Sequence, residues 1–224
     1  MTGFRTFSIR SDNPVTSSTS PEGRENCPHC DTRGFAFEHL LEETPHFSIV
    51  CDVHPLMEGH LLIIPKEHIA CAAEFSRDVF GEFVKLLNRC SDFLQDEYGS
   101  VSTFEHGRIG QTVFHAHTHL LPCQPDLTEI IPEGTPYAEP MEDITAIHDL
   151  DERDGGYLLL MLDGTYWSIN PELGEPRFFR DRFASALGVP ERGNWKEMHA
   201  NKNLMTVAQE EIIRCKNRWH RASS

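Results

Sequence analysis

The chain lacks any apolar run near the roughly 18 residues that a membrane-crossing helix needs, so we expect no membrane association. Its opening, MTGFRTFSIRSDNP, has no apolar core of the kind that drives secretion, and we expect no leader there. Positive charge is scarce: 20 Lys and Arg stand against 35 Asp and Glu, a formal net charge of −15. That balance excludes a general duplex-DNA binder, which needs a cationic face. It leaves room for a local basic pocket that takes one phosphorylated small molecule. No segment recurs at a fixed period, which excludes a solenoid. A disulfide framework is also excluded, because the seven cysteines are odd in number and two of them form a CxxC. The same usage points to a reducing, cytoplasmic compartment. What remains is 224 residues, 39% hydrophobic and 25% charged, enough to bury a core without staples.

Local patterning divides the chain. Residues 1–24 are Ser-, Thr-, Pro- and Gly-rich, with little apolar periodicity, and read as a flexible N-terminal tail. Phe47–Cys51 and His60–Ile64 are short apolar runs around Pro55 and Glu58-Gly59, which predicts a pair of antiparallel strands. From Ser76 to Tyr98, apolar residues recur every three or four positions, which predicts one long amphipathic helix. Ser76 suits its N-cap and Gly99 its C-terminal stop. Ser102–Glu105 and Val113–Leu121 are the next expected strands. Residues 122–156 hold ten acidic residues and one basic, Arg153, and we expect residues 126–156 to form a solvated acidic loop. Beyond it, Tyr157–Leu162 and Tyr166–Ile169 flank Asp163-Gly164 as a strand–turn–strand. Helices are expected over Arg177–Leu187 and Asn203–Trp219.

Histidine is abundant, at 13 residues, and its placement matters more than its number. His115, His117 and His119 alternate in a predicted strand and so project to one face. Buried imidazoles need partners for their nitrogens, which makes three aligned rings a poor core filler. Two chemistries fit them. One is metal chelation by His-x-His. The other is nucleophilic catalysis by a neutral imidazole, since an unperturbed histidine is largely uncharged near pH 7. Cys27-Pro-His-Cys30 could likewise serve redox chemistry or a metal. It lacks the strand-then-helix context of a thioredoxin-type site, and zinc needs two further ligands beside its thiols.

Gly110-Gln-Thr-Val-Phe-His115-Ala-His117-Thr-His119-Leu-Leu resembles the signature of the histidine-triad (HIT) superfamily. Pro55-Leu-Met-Glu-Gly-His-Leu-Leu-Ile-Ile-Pro65-Lys-Glu-His68 resembles that family's preceding hairpin, and one long helix lies between the two as it should. The resemblance covers about residues 25–125. It implies an α+β fold, a mainly antiparallel sheet with a long packed helix. We expect residues 25–125 to be the catalytic domain and residues 157–224 to be a C-terminal α/β extension.

The family's members are nucleotide hydrolases and nucleotidyltransferases. Carried over by position, the resemblance implies that His117 attacks a nucleotide α-phosphorus and forms a covalent nucleotidyl-histidine. His119 would hydrogen-bond phosphate oxygens, and Gln111 and Thr112 would position the phosphate. Asp52 would accept from ribose hydroxyls, a role a carboxylate can fill, though it also reads as a turn residue before Pro55. Phe47 and Ile49, on the strand leading to Asp52, are candidates to pack on the base as well as for the core. Where many relatives have Asn, this chain has Phe104-Glu105-His106-Gly107. Glu105 or His106 would then replace a phosphate contact or read a different leaving group.

Zinc-containing relatives imply a structural site made of Cys27, Cys30, His68 and His115, with no organic cofactor. Arg177, Arg180 and Arg182 lie together in a segment similar to extended triad proteins. They suit either a distal phosphate or salt bridges to the acidic loop. The substrate would be a nucleotide or dinucleotide, such as a dinucleoside polyphosphate or a nucleoside phosphoramidate. Water would resolve the intermediate in a hydrolase, and phosphate or a sugar phosphate in a phosphorylase. A zinc-bound adaptor without activity is the reading from another class. The resemblance also implies a homodimer, unless the extension fills the partner's place.

Overall fold

Apolar runs bounded by turn residues become strands once they find partners on both edges. In the computed structural model, which describes residues 24–223, eight strands form one sheet, with Leu40–Glu43 and Ala138–Pro140 at its edges. The tail expected over residues 1–24 lies, apart from Arg24, outside the described residues. The strands are β1 (Leu40–Glu43), β2 (Phe47–Cys51), β3 (Leu61–Pro65), β4 (Ser102–Gly107), β5 (Thr118–Leu121), β6 (Ala138–Pro140), β7 (Tyr157–Leu162) and β8 (Thr165–Ile169). Their order is β1-β2-β3-β5-β4-β7-β8-β6, and every neighbouring pair is antiparallel. With the helices around it, this is an α+β fold.

Strand alternation sorts the side chains into two layers. Phe47, Ile49, Cys51, Leu61, Ile63, Leu120, Tyr157 and Leu159 belong to one core. Helix α1 (Arg77–Tyr98) covers it with Phe80, Phe83, Leu86, Leu87, Cys90, Phe93 and Leu94. The helix starts where Ser76 Oγ accepts from the Val79 N–H and stops at Gly99, whose φ of +88° suits glycine. On the opposite face, Val50, Leu62 and Ile64 make a small cluster. Phe104, Leu121, Leu158, Leu160 and Leu162 make a larger one there, with Phe178, Phe179 and Phe183 of helix α4 (Phe178–Ala186).

The region expected as an acidic loop, 126–156, is instead built structure. It holds helix α2 (Leu127–Ile130), strand β6 and helix α3 (Ile147–Asp154). Its acids do structural work at helix starts. Asp126 and Glu129 form a capping box, and Asp143 accepts from the Thr145 N–H. Between them Ile130, Ile131, Ile144 and Ile147 are buried.

The expected border of the C-terminal extension is not a break either. β7 pairs with β4 from Thr103↔Met161 to Gly107↔Tyr157, so the extension continues the same sheet. β7 is buried on both faces, as a continuous Leu-rich run requires, and it covers what would otherwise be an open strand edge. Helices α5 (Trp195–Ala200) and α6 (Lys202–Ala222) complete the chain. Among the described residues, no helix is long and apolar enough to cross a membrane.

Candidate active site

The expected strand over Val113–Leu121 forms only from Thr118 onward. The preceding turn carries Gly110 at φ +73°, where an added Cβ would lie 2.6 Å from the Glu175 carbonyl oxygen. The Arg177 N–H donates to the Gly110 carbonyl (3.2 Å), so the extension packs directly on the segment that leads to the histidines. His115 and His117 therefore precede the strand and only His119 lies in it; His117 and His119 line one cavity, and His115 is fully buried beside the thiols of Cys27 and Cys30.

Hydrogen bonds fix a different task for each ring. The His117 Nδ1–H donates to the His115 carbonyl at 2.7 Å. That assigns the tautomer and leaves the Nε2 lone pair free. His119 takes the opposite tautomer. His60 Nδ1 accepts from the Leu56 N–H (3.1 Å), so its Nε2–H donates to His119 Nδ1 (2.9 Å). His119 Nε2 must then carry a hydrogen. The His119 ring stacks on Phe104, with centroids 4.3 Å apart, and lies 5.0 Å from the ring of His117. Burial lowers the pKa of His117, and the His115 carbonyl opposes this. Burial also holds His119 well below its usual value and brings His60 down to about 3. These rings are neutral at neutral pH.

His117 and His119 border a cavity of about 930 Å³. His117, His119, Gln111, Thr112, Asp52 and Leu62 line it, Leu62 and His119 being register partners on β3 and β5. Gln111 Nε2 donates to the Ala70 carbonyl (2.6 Å), and Thr112 is exposed. Three cationic side chains, Arg108, Arg180 and Lys196, line the cavity; Arg108 is paired with Glu74 and Asp151, and Arg180 with Asp52.

Asp52 is more occupied than a free hydroxyl acceptor would be. Its Oδ1 accepts from the His54 N–H (2.9 Å), and its Oδ2 from Arg180 (2.7 Å). Burial alone would raise its pKa; Arg180 and His60 hold it down at about 2.

Four expected contacts fall away from the cavity, and strand parity explains three of them. Phe47 and Ile49 point to the α1 face and are fully buried; Phe47 packs on Phe75 and Phe83. Neither can pack on a base. Glu105 faces the helix side and accepts from the Ala72 N–H (2.9 Å). His106 lies on the cavity side of the sheet, but its Nε2 accepts from the Phe179 N–H (3.2 Å) and is used up there.

The thiols of Cys27 and Cys30 and one nitrogen each of His68 and His115 lie within 4.8 Å of one another. His115 Nδ1 is 3.4 and 3.5 Å from the two sulfurs, and His68 Nδ1 is 3.2 Å from Cys30 Sγ. The His115 Nε2–H donates to the Pro65 carbonyl (2.8 Å), which turns the Nδ1 lone pair toward the thiols. Two sulfurs and two nitrogens at this spacing, with a carbonyl orienting one ring, suit tetrahedral zinc.

Several site residues did not stand out in the sequence. His60, which in a hairpin reads as a surface or hydrogen-bonded residue, is 1% exposed, hydrogen-bonded at both nitrogens, and orients His119. His29, inside the CxxC, is buried with its ring edge-on to His117 at 4.8 Å. Phe35, His54 and Trp195 gather at the end of the cavity next to Asp52, with centroid separations of 6.1 and 5.6 Å. The three arginines divide. Arg182 pairs with Glu133 of the acidic segment, Arg177 pairs with Asp181, and Arg180 reaches Asp52.

Residues 36–126 match the HIT domain family model. An uncharacterised HIT-like protein of Chlamydia muridarum is 37% identical over 102 residues, which span 38% of this chain and 78% of that protein. The adenosine 5'-monophosphoramidase of Schizosaccharomyces pombe is 34% identical over 83 residues, 37% of this chain and 62% of that enzyme. A crystal structure of a HIT family member from Bacillus subtilis aligns with a TM-score of 0.40 at 27% identity, covering 43% of this chain and 72% of that one. With the triad, its preceding hairpin and the long helix all in place, the chain belongs to the HIT family.

Proposed function

We propose that the protein is a nucleotide hydrolase that works at the α-phosphate through a nucleotidyl-His117 intermediate. One observation carries this reading: the His117 tautomer, set by the 2.7 Å bond to the His115 carbonyl, which frees Nε2 as a neutral nucleophile. Nε2 attacks phosphorus, a P–N bond forms, and the leaving group departs with the electrons of its bond to phosphorus. The ring is then cationic, and the His115 carbonyl accepting from Nδ1 stabilises it. Water next attacks phosphorus, the P–N electrons return to Nε2, and a proton is released. His119 donates through Nε2–H to a phosphate oxygen, its orientation set by His60. Gln111 and Thr112, both on the cavity wall, contact the remaining oxygens.

Cys27, Cys30, His68 and His115 would hold a structural zinc. When bound, it ties the N-terminal segment to the residue whose carbonyl orients the nucleophile. The extension occupies the β4 edge, so a second copy is not needed to complete the sheet there.

The substrates we favour are nucleoside phosphoramidates and dinucleoside polyphosphates, since relatives named as adenosine 5'-monophosphoramidases share the triad region. Intact-mass analysis after mixing with adenosine 5'-phosphoramidate and diadenosine polyphosphates tests this. A transient adenylyl adduct that is absent in His117→Ala is expected. Turnover with no adduct and full activity in that variant would remove the nucleophile. Repeating the reaction with inorganic phosphate separates hydrolase from phosphorylase by the product formed.

A further inference from the structure

With Phe47 and Ile49 buried on the other face of the sheet, a base bound in the cavity has to find its platform elsewhere. Among the described residues four large hydrophobic side chains are exposed, and two of them, Phe35 and Phe114, line the cavity. Phe35 is 47% exposed, and at its end of the cavity stands Trp195, half-buried, the one tryptophan on the wall among the described residues. Both rings pack on His54, at centroid separations of 6.1 and 5.6 Å. His54 is a fixed floor for them. Its N–H donates to Asp52 Oδ1 (2.9 Å), its carbonyl accepts from Arg180 (2.7 Å), and its Nε2 shares a hydrogen bond with His199 Nδ1 of α5 (3.0 Å). Trp195 is held by its own segment. Arg192 pairs with Glu211 (2.7 Å) and reaches the Pro55 and Leu56 carbonyls (3.3 and 3.4 Å), Asn194 caps α5, and Met198 is fully buried. Exposed aromatic faces on an anchored floor suit a flat aromatic ligand.

The order of groups along the wall says what that ligand is. Asp52 Oδ2 is 4.0 Å from His119 Nδ1, and His54 follows Asp52 by two residues. Each oxygen of Asp52 has one partner and keeps room to accept from a sugar hydroxyl. The wall therefore runs from the phosphate-binding histidines through Asp52 to the aromatic end, the order of phosphate, sugar and base in a nucleotide. We propose that Trp195 and Phe35 stack on the nucleobase, so that the C-terminal extension, with the N-terminal segment and not β2, recognises the base. Neither residue lies within the family match over residues 36–126. Every base has a π face, so stacking separates ligands with a base from ligands without one more than it separates the bases from each other.

This inference rests on the nucleotide reading above, and its test separates the two. Dissociation constants for AMP and for ribose 5-phosphate, which has the sugar and phosphate without the base, are measured by calorimetry on the full-length protein and its Trp195 variants. Tryptophan emission is followed during the AMP titration. Trp195→Ala should weaken AMP by about fivefold or more and leave ribose 5-phosphate as it was, and Trp195→Phe should keep AMP within about threefold of the parent. AMP should quench emission in the parent and not in Trp195→Phe, since Trp167 of β8 and Trp219 of α6 lie off the cavity wall. Unchanged AMP affinity in Trp195→Ala overturns the inference. So does an equal loss for both ligands, which would make Trp195 a support of the fold, and so does a parent that binds the two ligands equally. If ribose 5-phosphate binds too weakly to measure, or Trp195→Ala does not fold, the quench and its loss in Trp195→Phe decide, and a missing quench overturns the inference. If the parent binds neither ligand, the inference and the nucleotide reading fall together. If AMP stacks on Trp195 but adenosine 5'-phosphoramidate is not turned over, the His117 chemistry falls and the inference stands.

Discussion

The two faces of the sheet each bury a carboxylate, and the two behave oppositely. Glu105, on the α1 face, has the Ala72 N–H and the neighbouring Tyr157 for company, and burial pushes its pKa up to about 7. Asp52, at the cavity end of β2, is buried too, yet it stays near 2 because Arg180 reaches it at 2.7 Å. Desolvation works against both charges; only a fixed cation reverses the outcome. The helix face is therefore a dry layer that tolerates a neutral acid, whereas the cavity face holds a charge that the extension maintains.

The sharpest way to break the contrast is to exchange consequences between faces. His117→Ala, on the cavity side, should lower kcat by on the order of a thousandfold or more, with the melting temperature nearly unchanged. Retained turnover would sink the nucleophile assignment. Phe47→Ala, on the helix face, should do the reverse. Removing a fully buried ring costs about 3–5 kcal/mol of stability. Denaturant unfolding measures the loss, and nucleotide affinity in the folded fraction should stay as it was. A specific loss of affinity with no loss of stability would return Phe47 to the base-binding role that strand parity denies it.

Parity also marks how far the sequence could be read. The triad, the hairpin and α1 were legible because their periodicities are local and their caps lie at the expected positions, Ser76 and Gly99. Which face Phe47, Ile49 and Glu105 would take was not legible, because apolar residues alternate with apolar residues in β2 and β3 and both faces are buried. The acidic segment misled by composition: its isoleucines carry the packing, while acids such as Asp126 and Asp143 cap helix starts. Arg180 was visible as one of three arginines. Nothing in their spacing told which would cross the molecule to Asp52, since that depends on β7 docking against β4.

A smaller effect is expected where the N-terminal segment meets the site. Cys27→Ser should reduce zinc per chain from one toward zero and lower the melting temperature by roughly 5–10 °C. Metal analysis and thermal unfolding check both. Activity should fall less than in His117→Ala, because the cluster supports the His115 carbonyl rather than touching phosphate. If untreated protein contains no stoichiometric zinc, the quartet is not a metal site.

The smallest expected effect lies in the pH dependence of stability, and it isolates the helix face. In the unfolded chain Glu105 ionises near 4.5, and in the folded protein near 7. Its folded pKa is the higher one, so its contribution to stability is fully present below 4.5 and is lost as pH rises through about 7. Tyr157, Asp151 and Cys71 face it, none of them a cation, and Arg108 nearby is taken by Asp151 and Glu74. Glu105→Gln keeps the shape and removes the titration. The variant should match the parent at pH 4 and exceed it at pH 8 by on the order of 1–3 kcal/mol, read from urea unfolding at the two values. Equal stabilities at both would mean that Glu105 carries its charge in the folded protein, and the two faces would then differ in shape but not in how they treat a buried acid.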